Sequence, residues 1–323
     1  MPRLERLDFK DAIHYATVRG RAGSEIFFNA LTFRRFPQAA RQYAPHLVRF
    51  ERLLADACTE CGAILHGYCL EPNLGILIVQ RGGAPLQAFM QRLCGRYARY
   101  LRASGFAAEK GVFGARYESK VVAPEYLPHA VRRAHSRPIL AELCRRRVDY
   151  PFSSERAYLG EFAQIPIATV ALKTVLELHG YHGPRGYREF MAQDETPYVA
   201  NLLSHGSPMD PRIAGDKVFV QKARHMAAHP AAPPTREELI AGVARLLNKT
   251  PSDVFSATHV GALGRSLVAW YSVRSGAATL TSVGRWFSVS GATLGQGIQH
   301  HRSATPDLFN LAVMLGLDGT TDR

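Results

Sequence analysis

Ala63 to Leu70 and Leu74 to Gln80 are two apolar, β-prone runs separated only by the turn signal Glu71-Pro72-Asn73, so they read as neighbouring antiparallel strands. An all-helical first half is excluded. Earlier in the chain, His14 to Val18 is a short β-branched and aromatic stretch ended by Arg19-Gly20-Arg21-Ala22-Gly23, and Ile26 to Phe28 also reads as a strand. From about Phe33 to Cys61 the apolar residues Phe36, Ala39, Ala40, Tyr43, Leu47, Phe50, Leu53, Leu54 and Ala57 recur at three- and four-residue spacing, which predicts an amphipathic helix. Leu86 to Ser104 repeats the pattern, with Leu86, Phe89, Met90, Leu93, Tyr97 and Leu101 inward and Arg92, Arg96 and Arg99 on another stripe. Tyr117 to Val122 predicts a further strand. Pro124 to His135 predicts a further helix, with Pro128 in the first turn where a missing N–H matters least. The expected first domain, residues 1–160, is α+β, a small antiparallel sheet with helices.

Residues 161–234 read as a helical connector ending in the stiff linker His229-Pro230-Ala231-Ala232-Pro233-Pro234. Thr235-Arg236-Glu237-Glu238 is a capping box that opens a helix running to about Asn248 and a new domain, 235–323. Thr250-Pro251-Ser252-Asp253 caps a second helix, followed by Leu263 to Arg274, Leu280 to Phe287 and Ser290 to Arg302. The last two have the spacing of a helix-turn-helix, in which Thr293, Gln296, Gln299 and His300 would meet base edges.

Charge indicates the partner. The 323 residues carry 40 Lys+Arg against 27 Asp+Glu, a net +13, and residues 1–160 hold 25 of the basic and 14 of the acidic side chains. The field therefore sits in the first half. Residues 81–147 alone contain 14 Lys/Arg and 4 Asp/Glu, mostly arginine, whose planar fork suits phosphate. Single-stranded nucleic acid would suit Tyr100 interleaved with Arg92, Arg96 and Arg99, the aromatic ring stacking a base while guanidiniums follow the backbone; Tyr97 falls on the apolar stripe and is expected inside. A composition 46% hydrophobic and 21% charged excludes wholesale disorder. The longest apolar runs are too short to span a membrane, and Met1 to Lys10 carries five charges, unlike a secretory signal. Five thinly spread cysteines make no disulfide framework. A cytoplasmic protein with no membrane partner is expected.

Several segments, in order, resemble the REP-associated branch of the single-tyrosine HUH transposases. They are His14 to Gly20, His66 to Asn73, Phe89 to Tyr100, the group Phe113, Arg116, Tyr117 and Ser119, then Tyr126-Leu127, Asp149 to Ser154 and Tyr158-Leu159-Gly160. The resemblance implies a ferredoxin-like HUH fold and DNA, single-stranded or hairpin, as partner. It also implies Mg or Mn held by a His-apolar-His strand, and a helical tyrosine that attacks a phosphodiester. Both parts are replaced here. After Pro72-Asn73 stand Leu74-Gly75-Ile76, so Leu74 and Ile76 occupy the ligand positions without a side-chain lone pair. Where the family has Arg-Tyr-Ile-His-x-Asn-Pro, this chain has Arg132-Arg133-Ala134-His135-Ser136-Arg137-Pro138, with Arg133 at the nucleophile. Residues from Leu239-Ile240 through Leu280 to Arg285 and Thr293-Leu294 are similar to the duplex-reading domain of the replication initiator DnaA. In the turn, Ser288 to Ala292 lack that family's basic and Asp residues.

The expected protein binds DNA without nicking it and needs no cofactor. Arg116, Lys120, Arg132, Arg133 and Arg137 are expected to contact DNA, Arg133 and Arg137 adding positive charge where the family has neutral groups. Two other readings stand beside it: a working transposase using a displaced Tyr126, and a transcriptional regulator acting through residues 235–323. Tyr126 lies seven positions before Arg133, about 10 Å along a helix. His66, His129, His135, Glu71 and Asn73 are scattered possible ligands, and Cys58-Thr59-Glu60-Cys61 is a lone CxxC without a second pair.

Overall fold

The computed structural model describes residues 5–21, 24–29, 44–105, 111–114, 116–161, 165–229 and 232–310. Strand β1 (Ile13–Arg19) is followed by helix α1 (Pro45–Cys61), the hairpin β2 (Ile64–Leu70) and β3 (Leu74–Gln80), helix α2 (Leu86–Ala103) and strand β4 (Glu118–Val122). These strands stand side by side in the order β2-β3-β1-β4, every pair antiparallel, which is the β-α-β-β-α-β ferredoxin-like arrangement. A fifth strand, β5 (Ile213–Ala214), pairs with β4 in parallel, so the sheet is mixed at that edge rather than wholly antiparallel. Helix α3 (Leu127–Leu140) follows β4.

Local chemistry explains the strands. β2 is buried along its whole length although it ends the sheet, because residues 152–154 lie beside it: Leu70 N–H donates to the Phe152 carbonyl at 2.9 Å and Ser154 N–H to that of Tyr68 at 3.0 Å. The exposed edge is thereby covered. β1 alternates, with Ala16 and Val18 buried and Tyr15 and Thr17 partly open. Gly75 on β3 is required by close approach, since a Cβ there would lie 2.9 Å from Val18 and 3.1 Å from the Phe27 ring. Phe27 in turn packs on Phe50 of α1 and Tyr97 of α2.

Three sequence expectations shift. Ile26 to Phe28 is no strand, since both Ile26 and Phe27 donate their N–H to the Pro72 carbonyl and the side chains plug the core. Of the Phe33 to Cys61 helix only Pro45–Cys61 falls within the described residues; Phe36, Ala39, Ala40 and Tyr43 lie outside them. Helix α3 starts after a 3-10 turn at Pro124–Tyr126 and continues past His135 through Pro138, which sits near the C-terminus where one lost hydrogen bond is tolerated.

The chain divides into two compact units, one of residues 1–55, 64–80 and 90–229, the other of 56–63, 81–89 and 230–323. The first includes the segment expected as a connector, which forms α4 (Val170–Leu178), α5 (Gly183–Ala192), α6 (Pro197–His205), β5 and α7 (Lys217–Ala228). Val220 and Ala223 of α7 share a buried cluster with Leu7, Phe9, Val121 and Ile213. In the second unit the capping boxes at Thr235/Glu238 and Thr250/Asp253 are formed and open α8 (Arg236–Leu246) and α9 (Pro251–Phe255). α10 (His259–Ser275), α11 (Leu280–Trp286) and α12 (Gly291–Ala304) follow, then a short turn of helix at Pro306–Asn310 that periodicity did not announce. α10 begins earlier than Leu263 because Thr258 caps it, accepting from Gly261 N–H.

Candidate functional site

On the face of the sheet opposite Phe27, the strand register lines up Arg19 with Leu74, Thr17 with Ile76 and Glu118, and Tyr15 with Lys120. Helix α3 sets Arg133 and Arg137, one turn apart, over these rows, and α6 adds Leu203 and Ser204. Together with Ser119 they enclose a cleft of about 550 Å³. Leu74, Ile76 and Arg133, the positions singled out from the sequence, thus share one cavity with Lys120 and Arg137.

Its electrostatics are cationic. Arg137 is committed, its Nε and Nη2 donating to the two oxygens of buried Glu71 at 2.8 and 3.2 Å in a bidentate pair. Arg133 donates from Nη1 to the Ala200 carbonyl at 3.1 Å and from Nη2 to Ser204 Oγ at 2.6 Å, with Glu195 Oε2 at 4.0 Å. Arg19 and Lys120 have no hydrogen-bond or ion-pair partner among the described residues. Partial burial lowers the Lys120 ammonium pKa, and Arg133 lowers it further against the pull of Glu118, the cleft's one carboxylate. Burial raises the Tyr15 hydroxyl far above its ordinary range in spite of Arg133 and Arg137.

This donor set does not fit a divalent cation. Leu74 and Ile76 offer hydrocarbon with no side-chain lone pair, and a hard ion among guanidiniums and an ammonium meets like charge. No group of three His, Cys, Asp or Glu suited to a metal occurs among the described residues. The scattered ligands are spent elsewhere: His66 lies between the Ala168 carbonyl and Gln80 Oε1 at 3.3 and 3.0 Å. His135 is buried between Tyr187 Oη and Ser154 Oγ at 2.8 and 2.7 Å, and burial lowers its pKa to about 3. The Cys58 thiol is pushed by burial to about 12.

Neither Tyr126 nor Tyr15 is activated as a nucleophile. Tyr126 caps α3 outside the cleft, and burial with a hydrogen bond to Tyr198 raises its hydroxyl to about 12, so little phenolate forms at neutral pH. Tyr15 lines the cleft and was missed by sequence reasoning, as were Thr17, Arg19, Glu118, Ser119, Leu203 and Ser204. The period of two along β1 would have grouped Tyr15, Thr17 and Arg19 had the register to β3 been known.

The other expected DNA contacts are dispersed. Arg132 is a correction: it turns inward, 5% exposed, stacks over Phe190 and donates to the Phe190 and Gln193 carbonyls at the end of α5, so it cannot meet a phosphate. Tyr97 is buried and bonds the Ile26 carbonyl, whereas Tyr100 is partly open with its hydroxyl 3.1 Å from His46 Nδ1. Arg92 and Arg99 are exposed on α2, Arg96 is half-buried, and Arg116 is exposed before β4. In the second unit Thr293, Gln296, Gln299 and His300 all lie on the exposed side of α12, with Gln299 donating to Asp56 at 3.3 Å. Ser290 caps that helix by accepting from Thr293 N–H. Its one arginine, Arg302, is buried over the Trp270 ring. No described helix is long and apolar enough to cross a membrane.

A small α+β domain of ferredoxin-like topology with a cationic cleft, joined to a helical unit, is the class of protein that fold and site define. No family model and no curated protein matches the sequence. Among solved structures, that of a REP-associated tyrosine transposase bound to a REP hairpin is similar to this chain at 15% identity and a TM-score of 0.37, covering 52% of this chain and 92% of that one. The likeness is distant.

Proposed function

We propose that the protein is a DNA-binding relative of the REP-associated tyrosine transposases that has lost strand-nicking chemistry. One observation carries this: Leu74, Ile76 and Arg133, which the sequence resemblance aligns with the family's metal-ligand and nucleophile positions, line a single cleft. A guanidinium pairs with a phosphate but does not attack it. The charge concentrated in residues 1–160 supports a single-stranded or hairpin partner for the first unit, and the exposed face of α12 supports duplex contact by a helix-turn-helix in the second.

Incubation of the protein with hairpin and single-stranded DNA in Mg or Mn tests the reading. The expected result is salt-sensitive binding with no covalent protein–DNA band on denaturing gels. A covalent band would revive the enzyme, and because Tyr15 is in the cleft and Tyr126 is not, Tyr15→Phe and Tyr126→Phe would show which hydroxyl had reacted.

A further inference from the structure

The cleft has the size of a small-ligand site. Its roughly 550 Å³ lies within the range of sites for single small ligands, and its far wall is α6, held to α3 by the two Arg133 hydrogen bonds. Inside it, polar and apolar parts are segregated. Leu74 and Ile76 lie almost wholly buried beneath the cleft, Tyr15 is partly open beside them, and Arg19, Lys120 and Arg133 line the same space with the one carboxylate of Glu118. Among the described residues neither Arg19 nor Lys120 has a hydrogen-bond or ion-pair partner, although Lys120 is only partly exposed. The half-buried Lys120 ammonium has Glu118 to offset burial and the like charge of Arg133, and an anion in the cleft would relieve it further.

We infer that this cleft binds one nucleoside 5′-phosphate unit, on a strand end or free, through Arg19, Lys120 and Arg133 without a divalent cation. The sugar and base lie against Tyr15, the partly open aromatic ring of the cleft, and the phosphate sits among the three cations. The inference rests on the reading of the first unit as a nucleic-acid binder and narrows it to a chemical group.

Fluorescence polarisation of a 3′-labelled trinucleotide with and without a 5′-phosphate, titrated with the full chain in EDTA, tests it. The phosphorylated form is expected to bind about tenfold tighter or more, the equivalent of one charge-assisted hydrogen bond. Arg19→Ser and Lys120→Met should each erase most of that preference. Neither residue has a hydrogen-bond or ion-pair partner to lose among the described residues, so melting temperature should hold, and Arg188→Ser on α5, exposed and outside the cleft, should leave the preference intact. Competition by free thymidine monophosphate as strong as by the phosphorylated trinucleotide assigns the site to free nucleotides; competition by the trinucleotide alone assigns it to strand ends. Equal binding of the two trinucleotides, a preference that survives both cleft variants, or one that appears only with Mg or Mn overturns the inference. A labelled hairpin in the same assay separates the two levels. Salt-sensitive hairpin binding without any phosphate preference sinks the cleft assignment alone, and phosphate preference without hairpin binding sinks the DNA reading alone.

Discussion

Glu155 is held by the fold in a form its chemistry disfavours. Burial pushes its carboxyl up to about 7, more than the Arg147 guanidinium 3.3 Å from Oε1 pulls it down, and Oε2 has no partner among the described residues. Between the model-peptide value of 4.5 and about 7 the unfolded chain has released this proton and the native chain has not, so this group's contribution to stability falls as pH rises through that window. Glu155→Gln, which cannot ionise, should match the wild type below pH 4.5 and exceed it by about 1–3 kcal/mol above pH 7. Urea unfolding at pH 4, 6 and 8 reads the difference directly, and a constant offset would assign the effect to packing instead. Its neighbour in the same layer, His135, has the opposite slope. With its pKa held near 3 by burial, it contributes stability at neutral pH that is lost as the solution is acidified below the ordinary histidine value of 6.5. In the wild type the two slopes oppose each other across the overlapping window; in the variant the His135 slope stands alone.

At the scale of elements, α3 is the one that makes the site, because it carries both the cleft arginines and the anchor for its wall. Arg133→Ala removes two hydrogen bonds that tie α6 to α3, and the change should lower stability by about 1–3 kcal/mol and speed amide exchange in Pro197–His205 ahead of the sheet. Strand β3 supplies the complementary test. Leu74 and Ile76 share one face two residues apart, so Leu74→His combined with Ile76→His should create a site that takes up Co(II), visible as an absorption band absent from the wild type. Failure to bind in that variant, and again with Lys120→Met added to reduce the like charge, would mean that the two side chains do not converge as the register requires. These two elements also mark what was legible in sequence. Leu74, Ile76, Arg133 and Arg137 were grouped from the motifs that flank them, since a motif carries its own spacing. The hairpin, α2 and the capping boxes were legible because a period or a cap is local. Arg19 and Tyr15 were not, because their place opposite Leu74 and Lys120 is set by strand register, a long-range property. Leu203, Ser204 and β5 were hidden for a further reason: the segment that contributes them reads as helical punctuation and closes the cleft only after returning to the sheet edge. Arg132 misled because its charge says nothing of direction, and the helix turn that aims Arg133 at the cleft aims Arg132 at the α5 carbonyls.

For the whole molecule, the uneven charge separates two kinds of contact that a single affinity would blur. Residues 1–160 hold a net +11 and the remainder only +2, so counterion release, which sets the salt dependence, belongs to the first part of the chain. The exposed polar face of α12 is neutral apart from histidine, and its arginine is buried against Trp270. On the proposed reading these properties predict a dissection. Arg99→Ala should weaken binding to every DNA alike and reduce the slope of log K against log salt by about 0.7–0.9, the share of one phosphate. Gln296→Ala should leave that slope unchanged and flatten the preference between duplex sequences by about 1–3 kcal/mol at the base pair it meets. Titrations of the full chain at several salt concentrations, on one hairpin and a panel of duplexes, read both quantities together. A Gln296→Ala protein with unaltered sequence preference would remove α12 from recognition and leave DNA binding to the charge field of the first unit. An Arg99→Ala protein with an unaltered slope would instead restrict phosphate contact to the cleft and the strands around it.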